Sequence, residues 1–197
     1  MSSIDRKSKQ KDAITLLMED HQRVRKLFNE LIGLRASRFT DDVEHRQELM
    51  AAVCAELKMH MRLEEEILFP AVRELLEHGD HLAAHAGLEH GTAKFLIAMI
   101  ESADYSDAQC ACHFKALGDC IATHVREEET SLFAGIRKSG LDLVELGARM
   151  ARRKEQLVFE LAEQQFDVAP SRPQAPSFWA RVRRLGDVAA GRVAMRQ

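Results

Sequence analysis

With 197 residues the chain is long enough for one large domain with a substantial core, and its 46% apolar and 30% charged residues exclude the disordered class. No apolar run approaches the roughly 20 residues of a membrane span, and the first residues run into charges instead of a hydrophobic signal segment, so a cytoplasmic location is the expectation. The net charge of −3 is uneven: six Arg and two Asp in residues 167–197 give +4 and leave −7 elsewhere, and that acidic body lacks the broad Lys and Arg face that nucleic acid requires.

Residues 1–10 read as an N-terminal tail, residues 11–166 as a helical body, and residues 167–197 as a Pro-rich linker with a basic tail, because Pro170, Pro173 and Pro176 cluster there while only Pro70 interrupts the body. The body has no sustained alternation of apolar and polar residues, and helix formers dominate it, so the fold class is all-α. In the first predicted helix Ile14, Leu17, His21, Val24, Phe28 and Leu31 repeat at three- and four-residue steps and share one face. The second carries Met50, Val53, Leu57, His60, Glu64, Ile67 and Ala71 on its seam, and Pro70 should kink or end it just past its polar pair. The third runs Ala83, Ala86, His90, Ala93, Ile97, Ile100, and the fourth Cys110, Phe114, Leu117, Ile121, His124, Glu128, Leu132. Short connections at 35–42, 76–81 and 102–107 favour antiparallel neighbours, hence an up-down-up-down four-helix bundle. Leu143, Leu146, Met150, Leu157 and Leu161 mark an extra C-terminal helix on its outside.

The seams carry a repeat. Asp20-His21 followed by His60-x3-Glu64-Glu65-Glu66-x-Leu68-Phe69 is echoed by Glu89-His90 followed by His124-x3-Glu128-Glu129-x-x-Leu132-Phe133. His-x3-Glu stacks an imidazole and a carboxylate on one helix face, a weak signal alone, since His85-x3-Glu89 is a third instance. Placement is the stronger argument: an ionised carboxylate on an apolar seam costs several kcal/mol unless it is paired or metal-bound. No Arg or Lys recurs on the seam level with Glu64 and Glu128, so a cation is needed. Four imidazoles and two carboxylates exceed one tetrahedral zinc site and suit two octahedral-leaning ions, iron or manganese, with both Glu bridging and positions left for a small molecule. The Glu-x-x-His motif of ferritin-like di-iron bundles does not occur. His81, His85 and Glu89 form a second line on the third helix, read as a solvated face with an accessory ligand set as the alternative. His45, His78 and His113 are expected on the surface. Cys54, Cys110, Cys112 and Cys120 make neither a zinc pair nor a disulfide framework, so reduced thiols are expected, with Cys110, Cys112 and Cys120 buried as small hydrophobes.

His21, His60-x3-Glu64, His90 and His124-x3-Glu128, with the flanking Glu-Glu-x-x-Leu-Phe and residues 137–143, resemble the hemerythrin-like HHE cation-binding family over about residues 11–165. The resemblance implies a four-helix bundle around a non-haem, oxo-bridged di-iron centre that meets dioxygen, peroxide or nitric oxide. By position, His21, His60, His90 and His124 would be imidazole ligands, and Glu64 and Glu128 bridging carboxylates. Oxygen-carrying members have a second His one turn from the third-helix ligand and an Asp closing the fourth-helix motif; this chain has Ala86 and Glu128 there. Solvent, His85 or Glu89 could complete the coordination. The expected function is therefore binding, sensing or detoxifying a diatomic or peroxide ligand at two iron ions, with manganese or zinc as alternative metals. A peroxide-consuming enzyme, or a storage or structural cation site, are the competing readings. Tyr105, the single tyrosine, falls in a predicted loop and argues against a radical oxidase. A disordered tail from Ser177 onward is preferred over docking of that segment on a membrane surface, and the sequence carries no signal for oligomeric state.

Overall fold

A computed structural model describes residues 11–35, 42–103 and 108–167. The N-terminal tail, most of the Pro-rich tail, Tyr105 and the middles of two predicted connections lie outside these. Helix α1 is Ala13–Arg35 and α2 is Asp42–Leu63, which passes through a π-helical segment, Glu64–Leu68, into α3, Phe69–Leu75. After a tight turn come α4, Gly79–Ser102, and α5, Ala108–Glu127, which passes through a second π-helical segment, Glu128–Leu132, into α6, Phe133–Lys138; α7 is Leu143–Asp167. The described residues contain no strand. The chain divides into two compact units, Met1–Lys154 and Glu155–Gln197, the first holding the bundle and the start of α7.

α1 packs chiefly on α2, and α4 on α5, giving the two hairpins that the repeat anticipates. Asp12 caps α1 by accepting from Thr15 N at 2.7 Å, and Asp142 caps α7 by accepting from Glu145 N at 3.0 Å. Between the hairpins Val24, Leu31, Met50, Val53, Leu57, Met61, Ile97, Ile100, Phe114, Leu117 and Ile121 form one buried apolar cluster. The expected seams are therefore core, with two informative exceptions. Phe28 is only half-buried, although its ring packs against Gly118 and Phe114. Beyond Glu64 the buried face is Ile67, Leu68, Phe69 and Val72, while Ala71 is only partly covered.

That slip has a local cause. In both π segments the hydrogen bond spans five residues, from Phe69 N–H to the Glu64 carbonyl and from Phe133 N–H to the Glu128 carbonyl. The wider turn moves the apolar face on by a residue. Pro70 does not end the helix; it lies in the first turn of α3, directly after the π segment. Nor does it make the π segment, since the second one has Ala134 at the matching place.

His78 takes the left-handed conformation, φ 61°, and the next residue, Gly79, has room for no Cβ, which would stand 2.1 Å from the Val72 carbonyl oxygen. Gly147 is equally constrained: a Cβ there would lie 2.4 Å from the Lys11 carbonyl oxygen, so α7 rests directly on the backbone that opens α1. Leu146 and Met150 are buried, Arg153 Nε donates to Glu66 at 2.5 Å, and Lys154 to Asp20 at 2.7 Å. Gly147→Ala is expected to lower stability by about 1–3 kcal/mol through this backbone clash, read as a lower Tm in a circular-dichroism melt of the full chain.

Candidate metal centre

Each of α1, α2, α4 and α5 sends one histidine inward, His21, His60, His90 and His124, and each π segment begins with a glutamate, Glu64 or Glu128; all six are at least 97% buried. A π turn widens the helix at the residue that must reach inward, and such turns recur at functional sites. The six sequence-predicted residues meet. His21 Nε2 lies 3.3 Å from His60 Nε2, and His90 Nε2 lies 3.4 Å from His124 Nε2. One Glu64 oxygen stands 3.3 Å from both His60 Nε2 and His90 Nε2, so it spans the two hairpins; a Glu128 oxygen stands 3.3 Å from His21 Nε2 and 3.5 Å from His124 Nε2 and spans them the other way. Two clusters result, one of His21, His60, Glu64 and Glu128 and one of Glu64, His90 and His124, each with ligand atoms within 4.8 Å of one another.

The outward nitrogens decide what these inward atoms can do. His21 Nδ1 donates to Glu129, His90 Nδ1 to Glu65 and His124 Nδ1 to Glu89, each at 2.9 Å. A carboxylate only accepts, so Nδ1 carries the proton and Nε2 presents a lone pair to the centre. His60 is the exception, with Asp20 at 3.9 Å and no hydrogen bond at Nδ1. Imidazole Nε2 atoms therefore face carboxylate oxygens, and among the described residues none of the four oxygens of Glu64 and Glu128 has a hydrogen-bond partner. Buried acceptors that converge on acceptors fit a cation between them, and carboxylates behind the imidazoles are how metal-binding histidines are oriented.

Charge within the metal-free cluster is strained accordingly. Burial pushes His60 down to about 4 despite the charge of Glu64. For His124 burial acts the same way, but the nearby carboxylates of Glu64 and Glu128 carry it up to about 10. Glu64 is held well below the carboxylate range against burial by His60, His124 and His90, whereas burial and the negative charge of Glu64 push Glu128 up. Without a metal, one carboxylate keeps its charge at the expense of the other. A cation removes the conflict by favouring neutral imidazoles and two ionised carboxylates.

Outside this centre, Arg25 Nη2 donates to Glu129 and Lys94 Nζ to Glu65, both at 2.6 Å, and Asp20 pairs with Arg23 and Lys154. Phe133 stacks on His21 with ring centroids 5.8 Å apart, and Phe69 lies against His90 at 5.2 Å, excluding water from both rings. A groove of about 710 Å³ between α1 and α5 is walled by Val24, Phe28, Phe114 and Ile121, and His21 is among its lining residues. Ala86 is buried and contributes no ligand, and His85 is half-exposed on the outside of α4, so neither completes the inner set. Glu89 serves His124 from behind. The roles of Asp20, Glu65, Glu89 and Glu129 were not anticipated, although each adjoins a seam ligand in the repeat. Among the cysteines Cys54 and Cys110 are buried, with burial pushing the Cys54 thiol up to about 12, but Cys112 is exposed and Cys120 half-buried, contrary to expectation. All four are free thiols. His45 and His78 are on the surface as expected.

Comparison with known proteins places these features in context. The hemerythrin HHE cation binding domain family matches residues 12–136, which span all six residues. A DNA nickase of Nostoc sp. (strain PCC 7120) is 32% identical over 120 residues, 61% of this chain but 32% of that protein, so the chain spans about a third of the length of that curated relative. The crystal structure of a hemerythrin HHE cation binding domain-containing protein from Mycobacterium kansasii superposes with a TM-score of 0.66 at 21% identity, covering 87% of this chain and 98% of that one, a likeness of fold.

Because Glu128 is destabilised by burial and by Glu64, Glu128→Gln should leave the Tm of metal-free protein unchanged or raise it. The same change should abolish the rise in Tm that added metal gives the wild type, and paired melts with and without metal measure both effects.

Proposed function

This chain belongs to the hemerythrin HHE cation-binding domain family, and from that premise we propose that its bundle binds two non-haem iron ions and uses them to bind, sense or detoxify dioxygen, peroxide or nitric oxide. Metal binding itself follows from the family and from the two His and Glu clusters. The observation that carries the rest is the convergence of four imidazole Nε2 atoms on two carboxylates whose oxygens have no hydrogen-bond partner among the described residues. His21 and His60 would hold one ion and His90 and His124 the other, with Glu64 and Glu128 between them. Iron bound there supplies redox chemistry and exchangeable positions for a small ligand. Thiolates are absent from the set and no fifth histidine joins it, which favours ligand exchange over permanent saturation by protein atoms.

The protein's own contribution is positional. Glu129, Glu65 and Glu89 hold the imidazole protons outward, and Phe133 and Phe69 keep water from the backs of His21 and His90. The groove between α1 and α5 gives a small molecule a route to His21. Manganese or zinc at the same ligands, and a storage or structural role, are the competing readings. A peroxide-consuming enzyme is a further one and differs in turnover instead of in ligands. The nicking of DNA named for the Nostoc relative is not adopted, because the body is acidic and most of that protein has no counterpart here. No helix of the described residues is long and apolar enough to cross a membrane, in keeping with a proposed cytoplasmic location.

Iron, zinc and manganese measured per chain on protein purified without chelator test the reading. Roughly two irons are expected, as in other di-iron bundles, lost in a His60→Ala, His124→Ala variant. Absence of stoichiometric metal after iron loading would refute it. For the loaded protein, peroxide or nitric oxide should change the visible absorption spectrum; no change with either, or with dioxygen, leaves storage or structure as the function. Glu129→Gln is expected to weaken iron binding by about 10–100-fold without changing the number of ions bound at saturation, checked by chelator competition.

A further inference from the structure

Four carboxylates stand behind the buried histidines, and three are balanced by cations. Glu129 has Arg25 at 2.6 Å, Glu65 has Lys94 at 2.6 Å, and Asp20 has Lys154 at 2.7 Å as well as Arg23. The fourth, Glu89, makes no ion pair with a Lys or Arg among the described residues. It faces His85, one turn earlier on α4, and Glu127, from α5. The ligand atoms of these three lie within 4.8 Å of one another, with His85 Nδ1 3.8 Å from a Glu127 oxygen. Two carboxylates are thus brought together where the other three positions of the shell would place a positive charge.

We propose that His85, Glu89 and Glu127 hold a first-row divalent metal ion at the surface of the α4–α5 hairpin, separate from the buried pair. Imidazole with two carboxylates suits zinc, manganese or ferrous iron better than calcium or magnesium, which take oxygen donors. His85 and Glu127 are about half-exposed, so their rotamers can close on the ion, and water fills the remaining positions. Such an ion exchanges readily. Glu89 has the two oxygens needed to face it while still accepting the proton of His124 Nδ1 at 2.9 Å. The surface ion then does for His124 what Arg25 does for His21 and Lys94 for His90: it balances the carboxylate that orients the ring.

The site does not require that the buried centre be iron, or that it be filled. Isothermal titration of metal-free full-length protein with zinc should show one equivalent fewer in a His85→Ala, Glu127→Gln variant than in wild type, the variant keeping the wild-type helical signal because both side chains are half-exposed. Equal equivalents with unchanged affinity would overturn the proposal. The equivalents that remain in the variant report on the buried centre, so either site can fail without the other. As a second measurement, sub-stoichiometric manganese should broaden the imidazole proton signals of His85 more strongly in wild type than in a Glu127→Gln variant; equal broadening in the two would also overturn it.

Discussion

Two carboxylates, Glu64 and Glu128, sit buried at the middle of the bundle with no hydrogen-bond partner among the described residues on any of their oxygens. An uncompensated buried charge costs several kcal/mol, so the surrounding arrangement answers to this one constraint. Charge alternates outward in layers. Around the carboxylates stand four imidazoles; behind three of these, at 2.9 Å, stand further carboxylates; and behind those stand Arg25 and Lys94. At the innermost place carboxylate oxygens and imidazole Nε2 atoms converge, and that donor set defines which ion it would hold.

The layers also tie the two hairpins together. Glu129 and Phe133, from the second hairpin, orient and cover His21 of the first, while Glu65 and Phe69, from the first, do the same for His90 of the second. By contrast Glu89 serves His124 within its own hairpin. Neither hairpin can therefore present a complete set of oriented imidazoles alone. A metal that needs all four couples its binding free energy to the docking of the hairpins, and so to folding.

The seams of all four helices, and with them His21, His60, Glu64, His90, His124 and Glu128, were legible in the sequence because a 3.6-residue period makes a polar intruder on an apolar face conspicuous. What that period cannot express was missed. The π segments are departures from it, so Leu68, Phe69 and Val72 take the buried face where a straight helix would put Ala71. Asp20, Glu65, Glu89 and Glu129 each follow or precede a ligand by one residue, which on a helix points about a quarter-turn away and reads as solvent-facing. Their function depends on the neighbouring helix, which periodicity along a single helix does not describe. Phe28 was misjudged as well, since it packs against Gly118 and Phe114 yet stays half-buried.

The repeat is not perfectly kept, and its breaks fall on one side. Asp20 is the counterpart of Glu89, yet it is drawn to Arg23 and Lys154 and stands 3.9 Å from His60 Nδ1, leaving that ring without its orienting bond. The partner of His60 in the cluster is His21, and His21 helps to line the groove between α1 and α5. On the proposed assignment, the ion held by His21 and His60 has both the less firmly fixed imidazole and the open approach. The ion held by His90 and His124 has both rings fixed from behind, and Phe69 lies against the first of them. A looser ligand beside an access route favours exchange, and a rigid one favours retention. On the two-ion reading proposed above, two positions built from the same motif would thereby be unequal, one suited to holding its ion and the other to meeting a small molecule.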